Sequence, residues 1–141
     1  MGQYIFALSL NISNKIKSFV WRASRNILST KANLYLRKVI NSPICEACGD
    51  AAESNGHVLR NCAIAQEVWE LSGIPFDLDG DVFLEFQEFQ DFLWHLKFRQ
   101  RVDEELLGLV CTVAWCLWFS RNKVWLGRVR SQALTILLKV H

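Results

Sequence analysis

Four residues constrain this chain more than any others: Cys45, Cys48, His57 and Cys62, spaced C-x2-C-x8-H-x4-C. Three thiols and an imidazole form the donor set that a structural Zn²⁺ fills tetrahedrally. The C-x2-C pair lets one tight turn present two sulfurs to the same ion. Residues 49–56, GDAAESNG, then loop out and bring His57 and Cys62 in from the far side. Gly49 and Gly56 bracket that loop, where unusual backbone angles are most often needed. Four protein donors leave no open position for a water, so the ion's expected work is folding rather than hydrolysis.

Other readings of the cysteines fit less well. A disulfide framework suits small secreted chains, but five cysteines is an odd number. The opening MGQYIFALSL lacks the basic leader of a signal peptide, and Phe6 stands where a myristoylation signal wants Ser or Thr. The expectation is an intracellular protein, nuclear or cytoplasmic and not secreted, where a Cys/His cluster reads as metal. Redox chemistry would need only the C-x2-C pair; the added His57 and Cys62 argue for a metal instead.

At 141 residues the chain is one domain, or one small module with a helical extension. Six Trp and nine Phe give it an aromatic load large enough to leave some apolar surface for a partner. The net charge of +2 hides a segmented pattern. Residues 1–45 carry seven Lys/Arg and no acid, and residues 46–105 carry all fourteen acids with four basic residues. Residues 106–141 return to five basic residues and no acid.

Apolar periodicity predicts a mostly α fold. Over residues 14–28, Ile16, Phe19, Val20, Ala23 and Ile27 form a helical stripe, with Lys15, Ser18, Arg22 and Arg25 opposite. Ser29-Thr30 can cap a second helix with Ala32, Tyr35, Leu36, Val39 and Ile40 inward. A third helix runs from about Cys62 through Ile64, Val68 and Leu71 and stops at Gly73 and Pro75. The acidic stretch FDLDGDVF, residues 76–83, reads as a linker. Phe83, Phe86, Phe89, Leu93 and Leu96 then step at helical intervals. Residues 102–125 form one long helix whose centre is apolar all round. That centre is about fourteen residues, short of the roughly twenty that a membrane span needs, so it is expected to be buried, with no membrane partner. The tail continues the pattern at Val129, Ala133, Ile136, Leu137 and Val140, and His141 follows without a stop signal, as in a fragment of a longer polyprotein.

With those elements in place the chain resembles a known family. K-I-K-x-F-x-W-R (residues 15–22), L-x-T-x-x-N-L (28–34), Arg37, the C-x2-C pair, H-x-L-x2-C (57–62) and A-x3-W (65–69) resemble the zinc-binding domain of plant non-LTR (LINE-type) retrotransposon reverse transcriptases. W-x2-W-x2-R-N, at Trp115, Trp118, Arg121 and Asn122, is similar to the segment that joins this module to a ribonuclease H-like domain. The resemblance implies that Cys45, Cys48, His57 and Cys62 hold one structural zinc ion. It further implies a non-catalytic accessory to a reverse transcriptase that helps it hold nucleic acid. It divides the chain into a variable lead-in (1–13), a zinc-binding domain (14–75) and a helical extension (76–141). The lead-in departs from the family's usual aromatic and proline-rich entry. The chain also lacks a polymerase aspartate pair and the spaced carboxylates of ribonuclease H, so it is not expected to be an enzyme on its own.

The loop itself is a poor nucleic-acid surface, since it carries Glu46, Asp50 and Glu53 and no aromatic, with Arg60 its only cation. The candidate RNA- or DNA-binding residues are Lys15, Trp21, Arg22, Arg25, Lys31, Arg37 and Lys38, with Trp21 placed to stack on a base. His95, Cys111 and Cys116 read as packed side chains, and Asp103-Glu104-Glu105 as the negative start of the long helix. Two alternatives stand beside the nucleic-acid module. One is a zinc-stapled scaffold that binds protein, either the absent reverse transcriptase or ribonuclease H-like domain or another partner, through residues 83–125. The other is a retroelement remnant without function.

Overall fold

The computed structural model describes residues 10–74, 89–98 and 101–125. The expected linker 76–83, the helical positions Phe83 and Phe86, and the whole C-terminal tail lie outside them. Among the described residues there are five α-helices, one π-helical turn and no strand, so the mostly α expectation holds. The helices are α1 (Asn14–Ser24), α2 (Lys31–Leu36), α3 (Ala63–Ser72), α4 (Phe89–Phe98) and α5 (Glu104–Trp125). The π-helical turn, His57–Asn61, precedes α3.

Helix α1 buries Ile16, Phe19, Val20 and Ala23, four of the five positions of its predicted stripe. The fifth fails because the helix stops early. Asn26 turns left-handed (φ 54°), and the Ile27 amide reaches back to the Arg22 carbonyl at 3.0 Å. This is the αL helix ending that Asn tolerates better than most residues. It throws Ile27 outward, 40% exposed, and turns Leu28 into the core at 1%.

Helix α2 departs further from expectation. Its cap is as read: Thr30 is buried and its Oγ1 accepts from the Asn33 amide at 3.2 Å. The Asn33 amide group in turn donates to the Leu28 carbonyl at 2.8 Å, tying the helix to the end of α1. Yet α2 lasts only six residues, because Lys38 turns left-handed (φ 61°) and the Val39 amide closes on Leu34. None of its residues is buried. Tyr35, Leu36 and Val39, expected inward, are 46%, 77% and 64% exposed. A helical stripe shows which residues share a face; whether another element covers it is a tertiary matter.

Helix α3 ends at Gly73, left-handed at φ 70° as its position after the last turn demands. Its buried face is Ala65, Val68 and Trp69, while Leu71, expected inward, is 53% exposed. The Trp69 indole donates to the Leu59 carbonyl at 2.7 Å, which satisfies the one polar atom of a buried ring.

Helices α4 and α5 complete the core. Phe89, Phe92, Leu93 and Leu96 of α4 are buried, and Phe19 of α1 meets Phe89 at a ring-centroid distance of 6.2 Å. The Asp103 carboxylate caps α5 by accepting from the Leu106 amide at 2.8 Å, as its acidic start suggested. The central residues of α5, among them Leu107, Val110, Val113, Ala114 and Leu117, are buried against α1, α4 and the π-helical turn. No helix among the described residues is long and apolar enough to cross a membrane. Leu10, from the segment set aside as lead-in, is also in this core at 1% exposure.

Candidate metal centre

The metal pattern is built by two short backbone devices. The first is a knuckle over residues 43–53. The Cys45 amide donates to the Ala51 carbonyl and the Glu53 amide to Pro43, both at 2.8 Å, so the chain folds back on itself. Between them the Gly49 amide closes on the Cys45 carbonyl at 2.8 Å, and Gly49 itself is left-handed at φ 70°. That turn points both sulfurs of C-x2-C the same way. Gly56 has an ordinary helical conformation (φ −63°). Its reason is space, because a Cβ there would meet the Arg60 guanidinium at 3.0 Å.

The second device is the π-helical turn. His57 and Cys62 are five residues apart, and in an α-helix residues so spaced lie about 140° apart around the axis. Widening the turn so that the Cys62 amide donates to the His57 carbonyl, at 2.8 Å, brings the two side chains to one side. A π-turn at a functional position is a recurrent use of this rare geometry. Spacing alone shows that H-x4-C suits a metal; it does not show that a π-turn makes it do so.

The result is one compact donor set. The ligand atoms of Cys45, Cys48, His57 and Cys62 all lie within 4.8 Å of one another. Cys45 Sγ and Cys62 Sγ are 4.0 Å apart, and Cys48 Sγ and His57 Nε2 3.5 Å. A zinc tetrahedron with Zn–S near 2.3 Å has edges of about 3.5–3.8 Å; two pairs stand near that spacing, and the widest would close by about 1 Å around the ion. The cysteines are free thiols. Cys45 and Cys62 are buried, His57 is 7% exposed and Cys48 is half-buried.

The thiols differ electrostatically. Burial pushes the Cys45 thiol up to about 11 in the metal-free state, against the backbone hydrogen bonds that it receives. Cys48 is shifted the other way, chiefly by the Asp50 amide that donates to its sulfur at 3.5 Å. Zinc must displace protons from such thiols, so acid weakens binding and alkali strengthens it. Apparent zinc affinity is expected to fall about tenfold per pH unit for each displaced proton as pH drops from 8 to 6, measured by competition with a chromophoric chelator. An affinity flat across that range would mean that the thiols do not bind the ion.

The loop between the ligand pairs is a structural hub, which sequence reasoning missed. Glu53 is one of the three acids of the loop, yet it is 3% exposed and paired, so it presents no charge to solvent. The Arg121 guanidinium of α5 donates Nε to both carboxylate oxygens, at 3.0 and 3.1 Å, and Nη2 to Oε1. Its Nη2 also reaches the Ser29 carbonyl at 3.0 Å, and the guanidinium lies 4.6 Å from the Trp118 ring centroid. Glu53 accepts from the Lys31 amide at 2.9 Å, and Asn55 donates to the Ala23 carbonyl at 2.7 Å. The segment from the knuckle to Asn55 is thereby tied to α1, α2 and α5 at once. Arg60, expected as the loop's cation, is buried at 4% exposure and lies 5.8 Å from the Phe92 ring centroid. Burial lowers its pKa to about 10, which leaves it charged at neutral pH.

The other candidate residues separate by exposure. Lys15 and Arg22 are exposed on α1 and Arg25 at its C-terminal cap, and Arg37 and Lys38 are exposed just past the end of α2. Trp21 is 39% exposed, with the Arg25 guanidinium 5.0 Å from its ring centroid. Lys31 is drawn away from solvent, its Nζ 3.5 Å from Glu46. Cys111 and Cys116 are buried as expected, and burial pushes Cys111 up to about 12. His95 is half-buried on α4 and outside the donor set.

Residues 3–69 match the model of the family described as zinc-binding in reverse transcriptase, and all four donor residues lie inside the match. The match begins at residue 3, so it takes in most of the lead-in that looked atypical. A curated Arabidopsis thaliana protein, named as a ribonuclease H protein, is 27% identical over 60 residues, 43% of this chain. Those residues amount to 10% of that relative, so the chain spans only a small part of its length. No solved structure matches the chain. The family match and the four-donor cluster together support one structural Zn²⁺ site.

Proposed function

We propose that this chain is a non-catalytic zinc module that helps a reverse transcriptase hold nucleic acid. The match covers the accessory zinc-binding domain and no catalytic domain. Cys45, Cys48, His57 and Cys62 bind one zinc ion with all four of their donor atoms. The ion would supply fixed geometry and positive charge among thiolates, with no place for a reacting water. Its work is to hold the knuckle against α1, α2 and α5.

The observation that carries the nucleic-acid reading is the outer face of α1. Lys15, Arg22 and Arg25 are exposed there beside Trp21, and the helix contains no carboxylate. Arg37 and Lys38 add two exposed cations just past the end of α2. Phosphates neutralised by such residues release counterions, so binding weakens steeply with salt. The charge-reversed variant Arg22→Glu/Arg25→Glu is expected to lose nearly all binding to RNA or DNA in an anisotropy titration. The parent should lose affinity by about tenfold or more between 50 and 200 mM salt. A flat salt response, or unchanged binding by the variant, refutes the reading.

One observation favours a second reading, a scaffold that binds protein. Tyr35, Leu36 and Val39 form an exposed apolar group around the end of α2. The region expected to carry protein contacts, residues 83–125, instead places most of its described apolar side chains in the core. Partner capture that survives Arg22→Glu/Arg25→Glu and is lost on Leu36→Asp would support the scaffold.

A further inference from the structure

The sequence places aromatic and basic residues on α5 as well as α1, and the fold brings the two sets together. Trp115 and Phe119 stand one turn apart on α5, with ring centroids at 5.2 Å and planes inclined by 25°. Lys15 of α1 puts its Nζ 4.8 Å from the Trp115 centroid, and Lys123 puts its Nζ 5.3 Å from that of Phe119. Two stacked rings and two ammonium groups thus lie together. From Trp115 to Lys123 they extend about 12 Å along the helix. Phe119 remains 43% exposed.

Among the described residues, the two helices that carry these groups hold few acids. Helix α1 has no acid, and the acids of α5, Glu104 and Glu105, are in its first turn, more than two turns before Trp115. Trp115 is half-buried with one side against the core, and Phe119 carries the apolar surface on toward solvent. A strand of nucleotides supplies what this ledge complements: flat apolar faces for the rings and phosphates for the ammonium groups.

We infer that Trp115 and Phe119, flanked by Lys15 and Lys123, form a stacking ledge for unpaired bases, which makes single-stranded nucleic acid the ligand class. The inference rests on the nucleic-acid reading above and extends its surface from α1 to α5. In a duplex the base faces are already stacked on one another, so the rings have nothing to grip. Single strands present them. The cations of α1, from Lys15 to Arg22 and Arg25, then follow the backbone of the same strand. The lysines leave the ring faces for phosphates as bases take their place, which their flexible stems allow.

The test uses the full zinc-loaded chain, a labelled single-stranded RNA of about 12 nucleotides and the duplex of the same sequence. The single strand is expected to bind about tenfold or more tightly than the duplex. Phe119→Leu and Trp115→Leu, which keep apolar bulk but remove the ring, are each expected to lose about tenfold for the single strand with zinc content unchanged. Lys123→Gln is expected to reduce the salt slope by about one. Equal binding of single strand and duplex overturns the ledge, as does wild-type affinity in both ring variants. If Arg22→Glu/Arg25→Glu still abolishes binding in that case, the general nucleic-acid reading survives without it. No binding of either RNA by the wild-type chain overturns both.

Discussion

Arg121→Ala is expected to lower the free energy of unfolding by about 3–5 kcal/mol, a large effect for a substitution far from the metal in sequence. Glu53 and Arg121 are each almost fully enclosed, with three hydrogen bonds between them. Truncating the arginine leaves a buried carboxylate without its counter-charge and the Ser29 carbonyl without its donor. The pair as a whole contributes less than this, because two charges had to be desolvated to make it. Glu53→Ala should therefore cost a similar amount, and the double variant much less than the sum of the two. Urea unfolding followed by tryptophan fluorescence measures all three. Additive costs would show that the two side chains act independently.

Removal of zinc is the second large perturbation. Structural zinc in small modules contributes on the order of 10 kcal/mol or more of apparent binding energy at neutral pH. Without the ion, three thiols and an imidazole are packed together with nothing to hold them, and residues 45–62 lose their reason to fold. The loss spreads, because Glu53 and Asn55 of that segment hold α5, α2 and α1. Strong chelation is expected to reduce helical circular dichroism beyond the few residues of the π-turn and to speed amide exchange in α2. Unchanged helicity after full zinc removal would show that the core stands without the metal.

The parts of this arrangement that the sequence revealed are those governed by local rules. The donor set is legible because few other combinations of Cys and His at that spacing have a use. The stripes of α1, α4 and α5 are legible because a buried helix face repeats every three or four residues. What escaped depends on contacts distant in sequence or on single backbone angles. Asn26 and Lys38 each take a left-handed turn that ends a helix early, and so Ile27 faces solvent while Leu28 is buried. The open face of α2 looks like a core face until one knows that nothing described covers it.

Glu53 and Arg121 are 68 residues apart, too far for any periodicity to link. One signal was nonetheless present. An arginine following so apolar a helical run must either reach water or find a buried partner. The loop offered three acids, and Glu53 alone among them is buried.

The claim on which the rest depends is a single zinc ion held by Cys45, Cys48, His57 and Cys62. Native mass spectrometry of the chain purified without chelator measures it directly, alongside Cys48→Ser. One zinc per chain in the parent and none in the variant is the predicted result. A parent without zinc, or a variant that keeps its full zinc content, would contradict it.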